Sequence, residues 1–165
     1  MKNDWRKSKM SRKVLMAQDM DPAGKNLLVE NGFELVMAPV EEEEVMKSLI
    51  TDCEAVFSKT YFLNEEILKA GTKLKVVAKH GVGIDNVVDL ETATRLGLYV
   101  VNTPQANSDS VAEHTIAGML AISQKTVKMH LATQKADFAA QDCGGMHEIG
   151  GKTVGIIGLG NIGDR

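Results

Sequence analysis

Two short glycine-containing stretches carry the residues whose types and spacing can do chemistry. In Lys79-His80-Gly81-Val82-Gly83-Ile84-Asp85-Asn86-Val87, two flexible residues expose backbone amides at the end of a predicted strand, an arrangement suited to a carboxylate. Lys79 adds positive charge there, and Asp85 and Asn86 can tie the loop by side-chain to backbone bonds. A purely structural loop is the alternative. The second stretch, Gly158-Leu159-Gly160-Asn161-Ile162-Gly163, has the spacing that permits a tight turn, close approach of backbone to a pyrophosphate and close packing of a following helix. It follows Lys152 to Ile157, which reads as a strand, so dinucleotide binding is expected over a mere structural turn. Gly158 stands seven positions before Arg165, which predicts that this sequence is the amino-terminal piece of a longer protein.

Other reactive residue types offer less. Ser58-Lys59-Thr60 closes a predicted strand, where its hydroxyls can either contact a substrate or cap a turn. His80, His114, His130 and His147 have no metal-site spacing and no evident acidic partner, so they read as surface or satisfied histidines. Cys53 and Cys143 are too few for a disulfide framework and lack zinc-site spacing. No metal is expected.

Composition bounds the class. With 165 residues, 44% hydrophobic side chains, 25% charged and a formal net charge of -3, the chain is long enough for a real core. Apolar runs such as Val154-Gly155-Ile156-Ile157 are far shorter than the roughly 20 residues a membrane span needs, and no secretory signal opens the sequence. A cytoplasmic protein without a membrane partner is the expectation. Residues 1–12 read as a basic flexible tail, but the weak net acidity argues against a nucleic-acid partner.

The stretches need elements to position them. Strands are predicted at Val14 to Ala17, Phe33 to Ala38, Ala55 to Ser58, Leu74 to Lys79 and Leu98 to Asn102. Helices lie between them: one capped by Asp21 with Pro22 at its first position, one opened by the acidic run Glu41 to Glu44, one over Asn64 to Ala70, and one over Asp89 to Leu96. This alternation predicts an α/β fold, a parallel sheet that binds ligands at the carboxyl ends of its strands. From Ser110 the pattern becomes one long helix, opened by the capping box Ser110-Val111-Ala112-Glu113 and apolar nearly all round in its first half. That predicts burial, with association through residues 110–131. A glycine-rich loop over 137–152 and the strand Lys152 to Ile157 complete the chain. That last strand lacks neighbours, so it must be paired elsewhere, folded back or disordered.

Three ordered motifs together resemble the D-isomer-specific 2-hydroxyacid dehydrogenase family, and within it the 3-phosphoglycerate dehydrogenase branch. They are Lys79 to Val87; Asn102-Thr103-Pro104-Gln105-Ala106-Asn107-Ser108 with Ser110 to His114; and Gly151 to Gly163. The resemblance implies a flavodoxin-like substrate-binding domain at 13–104 and the start of a Rossmann-type, NAD-binding domain at 105–165. Dimers would form through the latter. It implies hydride transfer between the C2 carbon of a small 2-hydroxy or 2-keto acid and a nicotinamide, with NADP not excluded. By the same resemblance the amides at Val82 and Gly83 hold the substrate carboxylate and Lys79 stands at a commonly basic position, so the expected substrate-facing set is Ser58, from its strand-end position, with Lys79, Gly81, Val82 and Gly83. Asn102, Thr103, Pro104, Gly158, Gly160, Asn161, Ile162 and Gly163 face the cofactor. The family's catalytic histidine, glutamate and arginine lie downstream of the fingerprint, so no residue here takes those roles and the chain alone is expected to be inactive. A non-enzymatic acid-binding or dimerising module is the other reading. Two departures stand out: Phe57 replaces an arginine common before Ser-x-Thr, and Val87-Val88-Asp89 carries one extra valine.

Overall fold

A computed structural model describes residues 12–165, so the basic tail falls outside it except for Arg12. Arg12 is no tail residue: it opens the first strand, stacks its guanidinium 4.0 Å over the Phe33 ring and donates to the Asn31 carbonyl. The described residues divide into two compact units, the first ending at Pro104 and the second running from Gln105 to Arg165.

The first unit is a five-stranded parallel sheet of β1 (Arg12–Met16), β2 (Phe33–Met37), β3 (Ala55–Ser58), β4 (Val76–Lys79) and β5 (Tyr99–Val101). Its order is β2-β1-β3-β4-β5, the flavodoxin-like arrangement. Helices α1 (Pro22–Glu30), α2 (Glu43–Ile50), α3 (Glu65–Ala70) and α4 (Leu90–Arg95) form the crossovers. Local chemistry starts three of them where the sequence predicts: Asp21 accepts from the Ala23 amide, Asn64 from Ile67 and Asp89 from Thr92. The bond from Thr92 also holds the Asp89 carboxyl below its ordinary range. Helix α2 begins within the acidic run, with Glu43 and Glu44 in its first turn, and leaves Glu41 for another partner.

One sheet face carries the larger core. Leu15, Val56 and Val77 alternate inward against Met46 and Ile50 of α2, Ile67 and Leu68 of α3, and Ala93 of α4. Burial also pushes the Cys53 thiol up from its ordinary range, leaving it a neutral structural residue. The extra valine is absorbed here. Val87 and Val88 are both buried, and the Val87 carbonyl accepts from the Leu63 amide while the Asp89 amide donates to the Leu63 carbonyl. On the opposite face α1 packs over Val14, Met16 and Phe57. Register places Tyr99 and Val101 on that same side, where they are 75% and 49% exposed.

The second unit departs from its sequence pattern. The long helix is two helices, α5 (Ser108–Ser123) and α6 (Thr126–Gln134), broken where Lys125 takes a left-handed conformation with φ 49°. The free Ser123 carbonyl at the break accepts the His147 amide, and the Lys125 ammonium reaches the Gly144 carbonyl, so the following loop folds onto the junction. Nor does the capping box form. Helix α5 starts two residues before Ser110, with Asn107 as a cap that makes no side-chain bond, so Ser110 is already inside the first turn. A 3₁₀ helix over Phe138–Cys143 interrupts the predicted glycine-rich loop.

The strand predicted at Lys152 to Ile157 is also absent. A strand exists only through a ladder with a neighbour, and no described strand lies in this unit to supply one. Residues 152–157 are therefore irregular, with Val154, Ile156 and Ile157 exposed. No helix among the described residues is long and apolar enough to cross a membrane.

Candidate functional site

The carboxyl edge of the first unit's sheet gathers the tips of β1, β3, β4 and β5. The chain leaves β4 at Lys79 and turns at Gly81, whose φ of +117° a side chain tolerates poorly. The His80 amide still pairs with the Ser58 carbonyl at 2.9 Å, carrying the ladder one residue further. Beyond it the loop is pinned from the end of β5. The Gly81 amide donates to Thr103 Oγ1 at 3.0 Å, the Thr103 amide donates back to the Gly81 carbonyl at 3.0 Å, and Asn102 Nδ2 donates to the Val82 carbonyl at 2.6 Å. Asn102 and Thr103 thus do the tying expected of Asp85 and Asn86, whose side chains make no hydrogen bond among the described residues.

With its carbonyls held, the loop presents the amides of Val82 and Gly83 without a partner among the described residues, and Val82 is 41% exposed. Two successive free N–H groups can offer positive potential to an anion. Lys79 stands beside it with its ammonium donating to the carbonyls of Lys59 and His80, so it braces the edge and charges it together.

Ser58 is buried, and its hydroxyl donates to the Tyr61 carbonyl at 2.8 Å. The structure thus favours the turn-forming role for it. His80 packs its ring 6.0 Å from that of Phe57, a structural contact, and no group of acidic, histidine or cysteine residues that could hold a metal occurs among the described residues. Sequence reasoning missed Gln18. It follows buried Ala17 at the tip of β1, and its Oε1 accepts from the amides of Lys59, Thr60 and Tyr61 at 2.8, 2.7 and 3.2 Å. Its signal was position alone: a polar side chain directly after a buried strand, at the edge where ligands bind. Neighbouring Asp19 is held below its ordinary range, first by the hydrogen bond from Lys25, and burial pushes the Tyr61 hydroxyl up.

In the second unit the glycine stretch forms its turn without its strand. Gly158 has φ +92°, and a Cβ placed on Gly163 would lie 2.2 Å from the Gly158 carbonyl oxygen, which no side chain survives. The Asp164 amide donates to the Gly160 carbonyl at 3.1 Å, the first bond of a helical turn. Glycine is thus demanded at Gly163 by contact rather than by spacing alone. A groove of about 760 Å³ lies between this segment and α5, lined by Ile116, Met119, Val154 and Ile156 and bordered by the 2.6 Å pair of Arg165 with Asp109.

The model of the D-isomer specific 2-hydroxyacid dehydrogenase catalytic domain matches residues 14–153. D-3-phosphoglycerate dehydrogenase of Homo sapiens is 34% identical over 153 residues, covering 92% of this chain and 28% of that protein. Among solved structures, the NAD+-bound 3-phosphoglycerate dehydrogenase of Entamoeba histolytica superposes with a TM-score of 0.62 at 29% identity, covering 72% of this chain and 41% of that one. The apo D-lactate dehydrogenase of Escherichia coli gives 0.68 at 28% identity, covering 92% and 49%. The chain therefore spans less than a third of the length of that curated relative.

Proposed function

Because this chain belongs to the D-isomer specific 2-hydroxyacid dehydrogenase family, we propose that it supplies the acid seat and the cofactor turn of an NAD-dependent oxidoreductase acting on a small D-2-hydroxy acid. The observation that carries this is the pair of unpartnered amides at Val82 and Gly83, fixed by Asn102 and Thr103 beside the Lys79 ammonium. Those amides receive the substrate carboxylate. Lys79 supplies charge and holds the loop, and Gly81 allows the turn. Gly158, Gly160, Asn161, Ile162 and Gly163 receive the cofactor pyrophosphate, and Asn102 to Pro104 belong to the nicotinamide side of the site.

When bound, the nicotinamide gives or takes the hydride at the substrate's C2. The groups described here bind and orient, and none is assigned the hydroxyl proton. Relatives named for 3-phosphoglycerate support that acid as one substrate, whereas Phe57, buried against Val14 and Met16, offers nothing to a phosphate. Since the fingerprint lies outside any sheet, these 165 residues alone bind cofactor weakly and turn over no substrate. The exposed apolar side chains of α5, Ile116 and Leu120 among them, support a homodimer through residues 110–131.

Calorimetric titration of the 165-residue chain with pyruvate, with acetone as the neutral control, tests the acid seat. Heat with pyruvate alone is expected. Identical traces for the two ligands would contradict the proposal, and robust NADH oxidation by this chain with any 2-keto acid would contradict its inactivity.

A further inference from the structure

We propose that Gln18 is the positioning residue of this acid-binding edge, its uncharged carboxamide filling a nest of three backbone amides that would otherwise take an anion. The inference rests on the reading that Val82 and Gly83 seat a carboxylate.

Three consecutive amides, those of Lys59, Thr60 and Tyr61, converge on Gln18 Oε1. Successive N–H groups aimed at one point are the arrangement by which backbone binds anions. Here the occupant is a side chain of the same unit. Its orientation is set by chemistry: Gln18 Nε2 faces Glu41 Oε1 and Thr60 Oγ1, each at 3.0 Å, while the three backbone amides at its oxygen, which the Ser58 hydroxyl also approaches at 3.5 Å, can only donate. Filling the nest fixes the loop after β3, and from there the effect passes to the seat through bonds already described. The Lys59 carbonyl accepts from Lys79, and Lys79 also holds the His80 carbonyl, next to Gly81.

The absence of charge on Gln18 is what gives the position its specificity. A carboxylate would satisfy the same three amides. It would also place a negative charge beside Asp19 and Glu41 and cancel part of the field of Lys59 and Lys79, which the arriving acid needs. A neutral amide organises the loop and leaves that field intact. Gln18 therefore acts on binding of an anionic substrate through the loop it holds, without touching it.

Gln18→Glu and Gln18→Ala in the 165-residue chain test this by calorimetry with pyruvate and by residue-resolved amide spectra. In Gln18→Glu the amides of Lys59, Thr60 and Tyr61 should shift together as the introduced carboxylate titrates. Pyruvate affinity should fall on the order of fivefold at neutral pH, as a unit charge at close range in water gives, and return when that carboxylate is protonated. In Gln18→Ala millimolar inorganic phosphate should move the same three amides, which it leaves still in the parent. Should Gln18→Ala not fold, Gln18→Glu decides alone. Unchanged pyruvate affinity in Gln18→Glu, or amides that ignore its titration, would overturn the role of Gln18 while leaving the acid seat standing. Failure of the parent itself to bind pyruvate would bring down the seat and this inference with it.

Discussion

The loop after β4 and the turn at Gly158 use the same device, glycine that turns the chain after an apolar segment, yet only the first is held in place. Lys79 leaves a strand paired on both sides, and the loop beyond it is bonded to Ser58, Asn102 and Thr103 from two neighbouring strand ends. Gly158 leaves an unladdered segment whose apolar side chains are exposed. A turn is thus a local property of glycine placement, whereas a ligand seat also needs the neighbours that fix where its amides point.

The contrast breaks most readily through burial. Ile67→Ala removes a side chain from the main core and should cost about 2–5 kcal/mol in urea unfolding of the first unit. Ile157→Ala removes the same atoms from a fully exposed position and should stay within about 0.5 kcal/mol. Equal effects would mean that residues 152–157 are packed after all.

A smaller effect probes the turns themselves. Gly81→Ala forces a side chain onto φ +117° with its Cβ 3.3 Å from the Lys79 ammonium, and should lose about 1–3 kcal/mol of stability together with pyruvate binding. Gly163→Ala should leave urea stability nearly unchanged but remove the exchange protection of the Asp164 amide, because the new methyl collides with the Gly158 carbonyl. If that amide stays protected, the coil at Gly158 to Gly163 is not the one described.

Caps sharpen the comparison further. Asn64→Ala should cost about 1 kcal/mol, since the Ile67 amide loses its acceptor. Asp89 adds a pH signature. Its folded carboxyl lies below the ordinary value, so its contribution is complete above the unfolded carboxylate range, near pH 4, and is lost as pH falls through the lower folded value. Asp89→Asn should flatten the acid limb of a stability profile, and an unchanged limb would show that the Thr92 bond does not discriminate charge.

The first unit was legible because its determinants are local and periodic. Asp21-Pro22, Asn64 and Asp89 each start a helix by their own side-chain bonds, and alternation in β1, β3 and β4 specifies which residues face the core. The second unit was less legible because its determinants are tertiary. Nothing in Ser123-Gln124-Lys125 announces a break, which depends on His147 and Gly144 arriving from 19 or more residues away. Lys152 to Ile157 has the composition of a strand without forming one, since composition cannot supply a partner. Gly81, Val82 and Gly83, proposed for the acid seat, are legible through glycine spacing. Gln18 was missed because glutamine is common and its meaning lies in the three amides that meet it.

Residue-resolved amide shifts, recorded while pyruvate and then NADH are titrated into one sample of the 165-residue chain, test the central claim most directly. The account predicts that pyruvate moves the Val82 and Gly83 amides at concentrations where NADH scarcely moves those of Gly158 to Gly163. Pyruvate shifts scattered over the surface with Val82 and Gly83 unmoved, or saturable NADH binding at the glycine turn, would contradict it.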